Sequence, residues 1–304
     1  MSHLAQSFQT WFNHIDHQYI NSIPWIQQQF DHCAKGQPTE FPIVTAVLSL
    51  VACFAAFFLS ALLSPHLFPK YNTLKKDDKE KWNVKLVSAL HAAFVFQGAV
   101  RAIWAYTPGP NDSQFQIYQC GYNTDLARWY EAITLGYMFY DFWVCIRAYG
   151  FTMTGIFPSL MIHHINILVC FAVGLKFHMG FYFTLNFMTN EISQPFLHAS
   201  WFFIKCKLPQ KHPLNIINGL LLVLTFIGSR FFFNMYIFYE LVTRTTSWSP
   251  FTTIGIGSIA AVIHVAVNAY WCKQMVDQVT ALIKKAKQRG EQQKKPVEET
   301  KKQN

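Results

Sequence analysis

Charge is scarce in this chain. Only 13% of its 304 residues are charged and 52% are hydrophobic, whereas a soluble domain carries about 25% charge. That shortage argues against an ordinary soluble globule. A secretory signal peptide is also missing from the expectation, because residues 1–40 have neither a basic start nor an uninterrupted apolar core. The seven cysteines form no CxxC pair and no metal-ligand spacing, so neither a redox motif nor a zinc module is expected. No helix-turn-helix, zinc or RNA-binding pattern accompanies the net charge of +9. The charge therefore reads as a membrane-topology signal, with no nucleic-acid partner expected.

What the chain has instead is long apolar runs. Seven segments, at about 41–63, 85–106, 127–149, 157–175, 178–204, 214–240 and 252–273, reach or approach the ~20 residues of a spanning helix. The expected fold is all-α, a polytopic membrane helix bundle with seven transmembrane helices. The third and fifth are the most interrupted, by Glu131 and Asp141 and by Glu191 and His198. Ahead of them, Phe8, Trp11, Phe12, Ile15 and Tyr19 recur at roughly helical spacing, which suits an interfacial or packing helix.

Lysines set the orientation. The first connection holds Lys70, Lys75, Lys76, Lys79, Lys81 and Lys85, the fifth Lys205, Lys207 and Lys211, and the tail a further series from Lys273 to Lys302. The opposite side has only Lys35, Arg128, Lys176 and Arg244. The positive-inside rule then predicts a cytosolic C-terminus and a lumenal N-terminus. Three details agree. Asn111-Asp112-Ser113 is a glycosylation sequon on the predicted lumenal side. Cys33 and Cys120 both fall on that oxidising side, so a disulfide between them is open. Lys301 and Lys302 stand four and three positions from the end. That matches the dilysine retrieval signal read by coat proteins on endoplasmic-reticulum membrane proteins, and it predicts residence in the endoplasmic reticulum or early secretory membrane.

Ionisable residues inside a membrane are costly and point to function. Counting depth at 1.5 Å per residue puts His91, Asp141, His163, His164 and His198 in one slab of the cytosolic half. Glu191, Arg230 and His264 form a second layer nearer the middle. The functional reading is a polar cavity that takes a lipid head group, lined by these eight residues. The structural reading is that they hydrogen-bond between helices, which suits the Glu191–Arg230 pair and His264 best. Neighbouring residues differ by about 100° around a helix, so one of His163 and His164 faces the cavity and the other a neighbouring helix. That i, i+1 spacing is poor for metal ligation, and no metal is expected. Pro195, four residues after Glu191, is expected to kink the fifth helix and free the Glu191 carbonyl.

These residues carry a resemblance. Gly136-Tyr137-Met138-Phe139-Tyr140-Asp141, His163-His164, Asn190-Glu191-Ile192-Ser193-Gln194-Pro195 with Trp201-Phe202, Asn218-Gly219 and Arg230-Phe231-Phe232 resemble, in order and spacing, the TLC domain (TRAM, LAG and CLN homology). The likeness covers about residues 80–275, and its Glu-Ile-Ser element resembles the subgroup called TLC domain-containing protein four. It implies a six-helix TLC core with the first helix added in front. The expected divisions are a lumenal N-terminal segment (1–40), the first helix with its basic cytosolic loop (41–79), the TLC domain (80–275) and a basic cytosolic tail (276–304).

The resemblance also bears on activity. Ceramide synthases with this domain acylate a sphingoid base from acyl-CoA, and their signature starts with His-His and ends with His-Asp. Here His163-His164 stand at the start, but no His-Asp dipeptide occurs and Glu191 stands roughly where the downstream acid is expected. The leading expectation is therefore a lipid-binding protein of lipid homeostasis, with membrane lipids as partners and no cofactor. The alternative is an acyltransferase using acyl-CoA, with His163 or His164 as general base and Asp141 orienting it. A third reading, a cargo-export receptor, needs a lumenal surface from residues 1–40 or 107–126.

The orientation has a direct check. In microsomes, a glycosylation shift in gel mobility is expected for the wild type and absent in Asn111→Gln. Protection of Asn111 from the lumenal machinery overturns the depth assignments.

Overall fold

The structure is a computed structural model. It describes residues 3–15, 33, 41–112, 116–149, 155, 157–244 and 258–301. Among the described residues it is helical throughout, with no strand. The helices are α1 (His3–Ile15), α2 (Ile43–Leu67), α3 (Pro69–Asn72), α4 (Lys76–Ala105), α5 (Asp125–Tyr149), α6 (Phe157–Phe177), α7 (Phe181–Met188), α8 (Gln194–Lys205), α9 (Pro213–Ile227), α10 (Asn234–Arg244) and α11 (Ser258–Lys301). A 3₁₀ turn, Thr189–Ser193, joins α7 to α8, and a π-helical turn, Gly228–Phe233, joins α9 to α10.

Four stretches among the described residues are long and apolar enough to cross a membrane: α2, α4, α6 and Pro213–Thr243, which runs from α9 into α10. The described parts of the other three expected spans, the last of them seen only from Ser258, are largely helical but fall short of that measure. Helix α5 carries Asp125, Arg128, Glu131, Asp141 and Arg147. The fifth is divided at Thr189–Ser193. In α11 the apolar run is diluted by His264 and Asn268, and the helix then runs on past residue 276 through a Lys, Gln and Glu-rich sequence of good helix formers.

Successive helices run antiparallel, as contacts at the two ends show. At one end Lys205 pairs with Asp78 at 2.7 Å and Arg147 with Glu80 at 2.7 Å, closing the ends of α8 and α5 on the start of α4. Trp82 sits beside them against Phe202, Tyr71 and Phe68. At the other end Cys33 and Cys120 are joined in a disulfide, so the pairing left open by the sequence is made. The Asn111 side chain is exposed there, while Ser113 of the sequon lies outside the described residues. Tyr19, Lys35 and Lys302 also lie outside them, as does the Lys301 side chain.

The short joint between α6 and α7 turns on two left-handed residues, His178 (φ 57) and Gly180 (φ 78). Glycine adopts that conformation freely, whereas a residue with a side chain needs compensation. The buried His178 has it: its Nδ1 lies 2.7 Å from Arg128 Nη1. Helix α2 packs chiefly along α5, close enough that Ser49 Oγ donates to the Ile133 carbonyl at 2.7 Å. A Cβ on Gly136 would lie 2.1 Å from the Ala46 carbonyl oxygen. Small residues let membrane helices approach in this way. Gly136→Val is accordingly expected to destabilise the bundle by about 1–3 kcal/mol through overpacking. A fall in the detergent melting temperature, set against a neutral change at exposed Leu48, measures it.

Candidate functional site

Helix α6 divides the polar residues into two groups, because His163 and His164 leave it about 100° apart. His164 turns toward α5. Its Nε2 lies 2.8 Å from Asp141 Oδ2, and its Nδ1 lies 2.6 Å from the Leu160 carbonyl oxygen one turn back. Cys145, one turn after Asp141 on the same face of α5, brings its Sγ to 4.0 Å from the same Nε2. His91 and His198 lie within electrostatic range of Asp141, so of the other four residues placed in one slab by depth, His164 touches it and these two act on it at longer range. His91 lies flat on Tyr137, ring centroids 3.6 Å apart.

His163 turns the other way, to Trp271 and His264, with ring centroids 5.1 and 6.1 Å distant. It thereby joins the second layer. At the centre of that layer is Arg230, carried inward by the π-helical turn. Its Nε donates to Ser193 Oγ at 3.0 Å, its Nη1 donates to Asn268 Oδ1 at 3.0 Å, and its Nη2 faces Glu191 Oε1 at 3.6 Å. The Asn190 amide donates to Asn234 Oδ1 at 2.9 Å and stands 3.2 Å from His264 Nε2. The expected Glu191–Arg230 pair is thus formed, within a larger amide network.

One expectation is corrected. Pro195 does not leave the Glu191 carbonyl free, because the 3₁₀ turn lets the Gln194 N–H donate to it. Proline instead takes the first turn of α8, where its missing N–H costs little.

Several buried polar atoms of the two layers have no hydrogen-bond partner among the described residues: both ring nitrogens of His198, Nδ1 of His163, Nδ1 of His264, Oδ1 of Asn190 and Nη2 of Arg230, which keeps only its longer ion pair to Glu191. Buried polar atoms are nearly always paired with protein or with ordered solvent or ligand, so this set marks a place for a polar guest. A separate groove of about 480 Å³ opens between α2, α4 and α5, lined by Ser49, Ala52, Cys53, Phe94, Trp129 and neighbours. Of the eight predicted residues it touches His91 alone.

Cys145 and the π-helical turn escaped sequence reasoning. Asp141 and Cys145 are i, i+4, a readable helical spacing, but nothing local says that His164 meets them. Glu131, read as an interruption, is fully buried and accepts from Thr184 Oγ1, well apart from the site.

Removing the arginine tests the second layer. Arg230→Met leaves Glu191 uncompensated, with its side chain only 20% exposed, and is expected to cost on the order of 3–5 kcal/mol. Glu191→Gln on that background restores part of it. A thermal melt of the purified single and double variants reads the difference, and equal stability of wild type and Arg230→Met refutes the pairing.

Comparison with known proteins bears on what this arrangement belongs to. Residues 81–277 match the family model described as TLC domain. TLC domain-containing protein 4-B of Danio rerio is 29% identical over 57% of this chain and 63% of its own length. Human TLC domain-containing protein 4 is 25% identical over 75% of this chain and 88% of its own. An uncharacterised TLC domain-containing protein of Schizosaccharomyces pombe is 24% identical over 88% of both chains. The matched span runs from Lys81 on α4 to Asp277 on α11 and holds both polar layers, and the chain is a member of the TLC domain family.

Proposed function

We propose that this chain is a multi-pass membrane protein of the endoplasmic reticulum that takes part in lipid homeostasis by binding a lipid. Its head group lies at the two polar layers and its apolar part reaches the groove at His91. The observation that carries the reading is the set of buried nitrogens and oxygens without a hydrogen-bond partner on His163, His198, His264 and Asn190. Inside a membrane such atoms are costly unless a polar guest completes them. The groove supplies the second half: it is largely apolar, walled on one side by small side chains of α2, and counts His91 among its lining residues.

In this reading all seven helical rods cross the bilayer, and the last six make the TLC core. The lysine-rich end faces the cytosol and the Cys33–Cys120 end the oxidising lumen. The N-terminus is lumenal and Asn111 is a glycosylation site. The C-terminus is cytosolic, so that Lys301 and Lys302 are available to coat proteins.

A second reading rests on one contact. The 2.8 Å approach of Asp141 to His164 brings an acid and an imidazole together, which suits an acyltransferase drawing on cytosolic acyl-CoA once Nδ1 leaves the Leu160 carbonyl to act as base. Overexpressing microsomes that acylate a sphingoid base or lysolipid, and lose that activity in Asp141→Asn, support it.

For the lipid-binding reading, full-length protein is purified in mild detergent and its bound lipid is quantified by mass spectrometry. Removing two hydrogen-bonding imidazoles with a His163→Ala, His198→Ala double variant is expected to lower retained lipid about tenfold or more. Equal lipid in a folded double variant sinks the reading.

A further inference from the structure

We infer that Asp141, Cys145 and His164 form a binding site for a divalent transition-metal ion, zinc by ligand chemistry, between α5 and α6. Three observations converge. First, a carboxylate oxygen, an imidazole nitrogen and a sulfur lie within 4.8 Å of one another. These are the donor types zinc takes, at bond lengths of about 2.0–2.3 Å. A tetrahedral ion at their centre sets Nε2 and Oδ2 about 3.3 Å apart and Nε2 and Sγ about 3.6 Å apart. The distances found are 2.8 and 4.0 Å, so the side chains move by about half an ångström.

Second, the geometry does not suit a Cys-His-Asp relay. A relay places its acid and its nucleophile on opposite ring nitrogens. Here both Asp141 and Cys145 approach Nε2, while Nδ1 points at the Leu160 carbonyl. A ring that donates Nδ1–H to a backbone carbonyl presents its Nε2 lone pair outward, as metal-bound histidines do. Facing a carboxylate, that lone pair needs a positive charge between them, which is either a proton or a metal ion.

Third, the charges balance. The carboxylate and a thiolate carry two negative charges, and binding releases two protons, the thiol proton and the one held between His164 Nε2 and Asp141. A divalent ion therefore makes the site neutral, an advantage among helices where an isolated charge is expensive. Lys85, within electrostatic range of both acidic ligands, can balance one of them when the ion is absent. The Asp141 side chain keeps 18% of its surface exposed. A fourth coordination position on that side is free for an oxygen ligand.

The i, i+1 spacing of His163 and His164 remains poor for a shared ion, and this site uses only His164. It does not rest on the lipid-binding reading, because its readout involves no lipid.

The test uses the full chain in detergent micelles, stripped with a chelator and titrated with Co²⁺ alone. One cobalt per chain is expected, with a near-ultraviolet thiolate-to-cobalt charge-transfer band and the visible bands of a four-coordinate ion. Adding Zn²⁺ bleaches both. Cys145→Ala removes the charge-transfer band, Cys145→Ser does so at nearly constant side-chain volume, and Asp141→Asn weakens cobalt binding more than about tenfold. Cys272→Ala, at another buried cysteine, leaves the spectrum unchanged. A wild type without the charge-transfer band overturns the inference, and so does a band that survives in either Cys145 variant.

Discussion

Asp141 and His164 meet at 2.8 Å across the face where α5 packs on α6, and the arrangement of the polar interior follows from that contact. An aspartate carried between packed apolar helices has few stable settings: it needs a cation or a set of donors within reach. Pointing His164 at it fixes the rotation of α6 about its own axis. His163, a third of a turn away, then faces Trp271 and His264. One contact thus decides which side of α6 serves the first layer and which the second.

The second layer answers a different difficulty, the burial of an arginine. Arg230 has only 2% of its side chain exposed. A regular α-helix gives a side chain one direction per position, whereas the π-helical turn at Gly228–Phe233 shifts the register. Facing it, the 3₁₀ turn at Thr189–Ser193 presents Asn190, Glu191 and Ser193 within one short turn. Two irregular turns on facing helices therefore supply a hydrogen-bonding wall that two regular helices lack. The 3₁₀ turn buries Asn190 and Ser193, while the π-helical turn turns Arg230 inward and leaves Phe231 and Phe232 exposed on its outer side.

How much of this the sequence shows depends on range. The apolar runs mark α2, α4, α6 and α9–α10 directly, since a membrane helix is encoded by a continuous local property. Helix α5 is also placed within a few residues, although its charges obscure its role. Depth counting sets His91, Asp141, His164 and His198 at one level, since rise per residue is fixed and antiparallel helices share a ruler, and of these the structure puts His164 in contact with Asp141. Rotation is a different matter. Whether His163 or His164 faces Asp141 depends on contacts between helices, and so does the meeting of Cys145 with His164. The irregular turns are also hidden, since Gly228 and Pro195 mark tolerated sites of distortion without saying which distortion occurs. The sequence suggested a free carbonyl at Glu191 from the proline rule alone. The shortened turn closes it.

The groove and the polar layers raise a final point about the order of burial. The groove is walled by α2 and so lies partly outside the matched TLC segment, which starts at residue 81. The polar layers lie wholly within that segment. His91 belongs to both, as a lining residue of the groove and a neighbour of Asp141. It stacks on Tyr137, one turn before Asp141 on α5. Helix α2 thus walls the groove from outside the matched segment, while both polar layers are built by helices inside it. The division accounts for why α2 needs only small and apolar residues at Ala52, Cys53 and Ala56, whereas α5 keeps its charges despite their cost in the membrane.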